Sequence, residues 1–97
     1  YRSYVVLLAL FLGKIFQLTG RFKPAIEAFD KVLAGAGGSL KPVWDAVAQF
    51  HAGNCLDMLS DRPAALARYN LVLKSGVAYE GLQEKVKQCL ASPYAAR

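Results

Sequence analysis

Small residues placed opposite large apolar ones, on either side of a tight turn, constrain this chain more than any other feature. Residues 12–29 contain Leu12-Gly13, Phe16, Gly20, Ala25 and Phe29 in that order. Ala25 lies thirteen residues after Leu12, and Gly13 and Ala25 are both small, so two antiparallel helices can meet there with little side chain between them. Leu12, Phe16 and Phe29 fill the space beside that contact. Gly20 supplies the turn, since glycine tolerates positive φ. The stretch therefore predicts a helix, a short turn and a second helix folded back on the first.

A second copy follows. Ala52-Gly53, Leu56, Ala65 and Tyr69 repeat the spacing, forty residues further on. Ser60 stands at the turn glycine and Arg62 where the first copy has Phe22. The paired pattern resembles the tetratricopeptide repeat, a helical hairpin with a period of about 34 residues and a Leu-Gly, Ala-x3-Phe signature. The extra length of the period falls in the Gly35–Lys41 loop. Ala9 and Gln49 stand where that family often has Trp, and Gly37 and Val77 where it often has Pro. The resemblance implies an all-α fold of antiparallel helical hairpins stacked as a short right-handed α-solenoid. Repeat one is expected at about 4–34, repeat two at about 42–75 and a capping helix at about 78–91, in a single domain that reads as a piece of a longer protein.

Local signals place five helices. Helix one is expected from about Ser3, a possible cap, to Leu18. Its apolar residues run from Tyr4 to Leu18 around nearly the whole circumference, which marks a helix covered on more than one side. Helix two, about Phe22 to Ala34, has Pro24 in its first turn and a stripe of Ala25, Ile26, Phe29, Val32 and Leu33. Helix three is expected from Pro42 to Leu59 with Trp44 in the core. Helix four begins near Arg62 after Asp61, a plausible cap, and stops at Gly76. The last, about Ala78 to Ala91, carries Leu82, Val86, Cys89 and Leu90 on one face and polar residues elsewhere, as a terminal cap does.

Charge and cysteines limit the function classes. The net charge is +5, and it is spread evenly, with six basic residues in each half and no Lys/Arg run; nucleic-acid binding, which leaves a basic patch, is not favoured. Cys55 and Cys89 sit among apolar residues without a C-x-x-C partner and read as buried free thiols, which suits a reducing compartment. The apolar run 4–12 is too short to cross a bilayer, which needs about 20 residues. A membrane-peripheral module anchored by the apolar helix 4–18 is the alternative function, and an RNA-binding helical-repeat segment a more distant one.

No catalytic or metal-binding constellation is present. His51 is the only histidine and lies inside helix three; the glycines at 35–38 lack a P-loop Lys-Ser/Thr. No cofactor is expected. The resemblance instead implies a non-catalytic protein–protein interaction module, a scaffold or adaptor, with a groove lined by the first helix of each repeat. In that register Leu7, Leu10, Lys14 and Gln17 face the groove from repeat one, and Val47, Phe50, Asn54 and Asp57 from repeat two. Lys14 and Asn54 follow the repeat glycines at matching positions. In family members that clamp a C-terminal carboxylate, Lys and Asn hold it; Leu10 stands where that clamp needs Lys. The partner is expected to be a protein or peptide. The outer side of helix one should in addition need cover from an upstream repeat, a second copy of the chain or another protein.

Overall fold

The computed structural model describes residues 2–35 and 40–95, and these form five α-helices with no strand among them. They are α1 (Arg2–Leu18), α2 (Phe22–Ala34), α3 (Lys41–Met58), α4 (Arg62–Ser75) and α5 (Leu82–Ala91). Each helix packs on the next in chain order, with lesser contacts of α1 and α5 to α3. Three-residue connections join α1 to α2 and α3 to α4. Helices so closely joined can pack together only by reversing direction, so each pair is an antiparallel hairpin. The expected Gly35–Lys41 loop lies partly outside the described residues, and Lys41 already belongs to α3.

The two hairpin turns share their hydrogen bonds. At the end of α1, the Arg21 N–H donates to the Phe16 carbonyl and the Gly20 N–H to that of Gln17. At the end of α3, Asp61 donates to Leu56 and Ser60 to Asp57. This pairing is the Schellman C-cap, which satisfies orphan carbonyls by putting one residue in the left-handed region. Gly20 takes that place with φ +77°, and Ser60 with φ +62°. α4 then has the side-chain cap that its sequence suggests, Asp61 accepting from the Ala64 N–H at 3.3 Å.

Glycine sets the distance within each hairpin. A Cβ on Gly13 would lie 2.5 Å from the Phe29 ring, and one on Gly53 would lie 2.6 Å from the Tyr69 ring. Both rings are fully buried, so neither can retreat. Around them the cores repeat as well. Ala25, Phe29 and Val32 of α2 and Ala65, Tyr69 and Val72 of α4 are buried at corresponding positions. The first hairpin's core is completed by Val6 and by Ala48, Ala52 and Cys55 of α3. The second is completed by Ala46, Phe50 and α5, through Leu82, Val86 and Cys89.

Two expected boundaries are corrected. α1 begins at Arg2, ahead of Ser3, so Ser3 is inside the helix and is not its cap. α5 begins at Leu82 and not at Ala78, because Glu80 (φ +47°) and Gly81 (φ +71°) are both left-handed and break any helix through them. The preceding turn is held by Gln83, whose Nε2 donates to the Val72 and Val77 carbonyls at 3.1 and 2.8 Å.

Gly53→Ala is expected to destabilise the protein in urea unfolding although alanine is the better helix former. Overpacking costs about 1–3 kcal/mol, whereas the helix-propensity gain is about 1 kcal/mol. Gly13→Ala should act in the same direction. Ser60→Gly should do the opposite. It relieves a left-handed L-residue, worth about 1–2 kcal/mol, against about 0.5–1 kcal/mol of added chain entropy; a higher unfolding midpoint is the expected result.

Candidate functional site

α1, α3 and α5 lie side by side across one face of the stack, and a groove of about 250 Å3 runs between them. α1 contributes Leu10 and Lys14, and α3 contributes Val47, Phe50 and His51. The turn before α5 adds Tyr79 and Glu80, and α5 itself adds Leu82 and Lys85. Four of the eight residues assigned to a groove from the sequence, Leu10, Lys14, Val47 and Phe50, are thus brought together. Phe50 shows only an edge, being 8% exposed. Leu7 lies in an adjoining shallow apolar concavity of about 410 Å3 on α1, with Leu8 and Phe11, which shares Leu10 and Lys14 with the groove.

The other three belong to the interior. Gln17 and Asn54 are buried, and the Asp57 side chain is 1% exposed. Gln17 accepts from Lys14 Nζ at 3.3 Å. The Tyr69 hydroxyl donates towards Asn54 Oδ1 at 2.9 Å and Asp57 Oδ2 at 2.8 Å, the carboxylate being the stronger acceptor. Asp57 also accepts from Arg62 Nη1 with both oxygens, at 3.1 and 3.0 Å, and from the Tyr94 N–H at 3.0 Å. Arg62 Nη2 reaches on to the Cys89 and Leu90 carbonyls at the end of α5, at 2.7 and 3.0 Å. Cys89 Sγ donates to Asn54 Oδ1 at 3.7 Å. The expectation that Asn54 and Asp57 meet a partner is therefore corrected. α5 and the segment after it close over the C-terminal half of α3, and both side chains serve to hold them there.

The groove's charged groups are Lys14, Glu80 and Lys85. Lys14 and Lys85 make no ion pair among the described residues. Partial burial lowers the Lys14 pKa, with the Lys85 charge acting in the same direction. Between them His51 stacks on Phe29, with centroids 5.7 Å apart, and tilts against Phe50 at 5.2 Å. Its Nδ1 is buried and has no hydrogen-bond partner. Burial first, then the charges of Lys14 and Lys85, depress its pKa to about 3, so at neutral pH it is an uncharged wall of the groove.

Neither thiol is activated. Cys55 is pushed up to about 11 by burial, and Cys89 is also raised, again chiefly by burial. Both are unpaired. Burial and donation to Asp57 keep the Tyr69 hydroxyl protonated. The arrangement offers apolar surface, the two ammonium groups of Lys14 and Lys85, and the Glu80 carboxylate.

Sequence reasoning missed His51, Tyr79, Glu80, Leu82 and Lys85 as groove residues. A signal was present: Leu82, Val86 and Cys89 repeat the spacing of Ala46, Phe50 and Gly53, which places α5 in the role of α1 and α3. No protein-family model matches the chain, and no curated protein or solved structure does either.

Two outcomes follow. Asp57→Ala should cost about 1–3 kcal/mol, since it removes a buried acceptor shared by Arg62, Tyr69 and the Tyr94 N–H, and circular dichroism with urea unfolding measures it. Stability should also fall as pH drops from about 6.5 towards about 3, because over that window the unfolded chain binds the His51 proton and the folded chain does not. The slope from this group is at most about 1.4 kcal/mol per pH unit, and His51→Phe should remove it in melting curves taken across that range.

Proposed function

We propose that this chain is a tetratricopeptide-repeat-like interaction module, non-catalytic, that takes a peptide or partner helix in the groove across α1, α3 and α5. The observation that carries this reading is the convergence of Leu10, Lys14, Val47 and Phe50 on one groove from the first helices of the two hairpins. The matched turns and the glycine–ring contacts support the repeat assignment. The groove's chemistry suits a ligand that inserts an apolar side chain against Leu10, Val47 and Leu82 and sets an acidic group beside Lys14 and Lys85. A scaffold or adaptor needs this much and no reactive group.

The test is selection of binding peptides from a random display library. Selected peptides should be enriched in acidic residues next to apolar ones. Val47→Glu, and Lys14→Glu separately, should weaken the tightest peptide by about tenfold or more, the scale of one lost apolar or charge contact of about 1.4 kcal/mol. Leu71→Glu, on exposed surface of α4, should leave binding unchanged. Selected peptides whose affinity ignores both groove substitutions would exclude this groove as the site.

A further inference from the structure

Among the described residues, two that are not glycine hold left-handed backbone, Ser60 and Glu80. Ser60 is accounted for, because it closes the end of α3. Glu80 is not. α4 already ends on a left-handed glycine, Gly76, so no helix needs Glu80 to stop it. Glu80 and Gly81, with φ +47° and +71°, are the central residues of a turn in which the Leu82 N–H donates to the Tyr79 carbonyl at 2.9 Å. Two left-handed central residues mark a type I′ turn, which is dominated by Gly, Asn and Asp. Here a longer side chain is held in that place by its surroundings. Gln83 ties the turn to the Val72 and Val77 carbonyls, and Leu82 is buried next to it. A residue kept in sparsely populated backbone by what is packed around it points to function, and Glu80 lines the groove.

The charges of the groove say what a carboxylate does there. Lys14 comes from α1 and Lys85 from α5. Neither forms an ion pair with Glu80, so no internal bridge cancels these charges. The fields of the two lysines overlap, since the Lys85 charge acts on Lys14 and both act on His51. His51 is uncharged at neutral pH and adds nothing. Two ammonium groups against one carboxylate leave a single positive charge, and without Glu80 there would be two. Lys14 is half-buried, where charges act on each other more strongly than in open water. A carboxylate, with one negative charge, matches this balance. A phosphorylated side chain carries about −1.5 to −2 at pH 7; it overshoots the balance and is repelled by Glu80.

We propose that Glu80 determines the specificity of the groove, limiting the acidic group taken beside Lys14 and Lys85 to a single carboxylate and turning away phosphorylated residues. The inference rests on the reading of the groove as a peptide site, and adds the kind of anion and the residue that selects it. The carboxylate is supplied either by an acidic side chain or by the free end of a chain, which are alike in charge.

The test uses the 97-residue chain and four sets of synthetic peptides, each with an apolar residue followed by the variable position. Three sets are acetylated and amidated and carry glutamate, phosphoserine or glutamine there. The fourth carries glutamine and a free C-terminus. Affinities are read by fluorescence anisotropy. The glutamate set or the free-acid set, whichever binds the tighter and so names the source of the carboxylate, should exceed the amidated glutamine set by about tenfold or more. The phosphoserine set should bind no tighter than it. Glu80→Gln should reverse that order and make the phosphoserine set the tightest, while Leu71→Glu on α4 changes nothing. Glu80→Gly should shift the preference as Glu80→Gln does and raise the unfolding midpoint in urea, since glycine suits left-handed backbone. Circular dichroism confirms that each variant is folded. Phosphoserine peptides that bind the unaltered chain most tightly, or an order of affinities that Glu80→Gln leaves the same, would overturn the proposal while the groove reading stands. A lowered midpoint for Glu80→Gly would also overturn it, by showing that the side chain serves the fold. Affinities that Val47→Glu leaves unchanged would remove the groove reading and this inference with it.

Discussion

The rest of the structure depends on the contact between a glycine in one helix and an aromatic ring in the next. Gly13 against Phe29 and Gly53 against Tyr69 set how near the two helices of each hairpin come. Interiors pack at crystal-like density, so this distance is passed on. With α2 drawn in, Ala48, Ala52 and Cys55 of α3 are the right size to close the next layer, and with α4 drawn in, Leu82 and Val86 of α5 close the one after. The groove across α1, α3 and α5 is the outer consequence of that stacking. A single methyl group at either glycine would be felt at that groove.

The second hairpin carries an addition that the first lacks. Tyr69 has a hydroxyl where Phe29 has none, and around it Asn54, Asp57, Arg62 and the α5 carbonyls form one hydrogen-bonded set. A buried carboxylate is tolerable only when its lone pairs are occupied, and here Arg62, Tyr69 and the Tyr94 amide occupy them. The set does two things at once. It fixes the ring that Gly53 leans on, and it ties down the end of α5, which needs an anchor because its own N-terminal turn has no side-chain cap.

The same geometry leaves the molecule with two unlike surfaces. The groove is mixed, with apolar side chains beside the charged groups of Lys14, Glu80 and Lys85. The outer side of α1 is apolar from end to end. α5 at the other end exposes Glu84, Lys85, Lys87 and Gln88.

The all-α class, the two hairpins and their turns were legible in the sequence, because they rest on local rules: helical spacing of apolar residues, a left-handed residue at each turn, and glycine opposite an aromatic ring. The uncovered side of α1 was legible too, since a helix apolar on every side exceeds what two neighbours can cover. The roles of single polar residues were not. Lys14 and Asn54 occupy the same place in their repeats, yet Lys14 reaches the groove while Asn54 is buried against Tyr69 and Cys89. The difference arises from the Tyr69 hydroxyl and Cys89 Sγ, which both meet Asn54, whereas Phe29, at the position of Tyr69 in the first hairpin, has no hydroxyl to offer. Repeat register assigns a side chain to a face of its helix. Whether that face meets water or another helix depends on elements distant in the chain, and only the tertiary structure decided it.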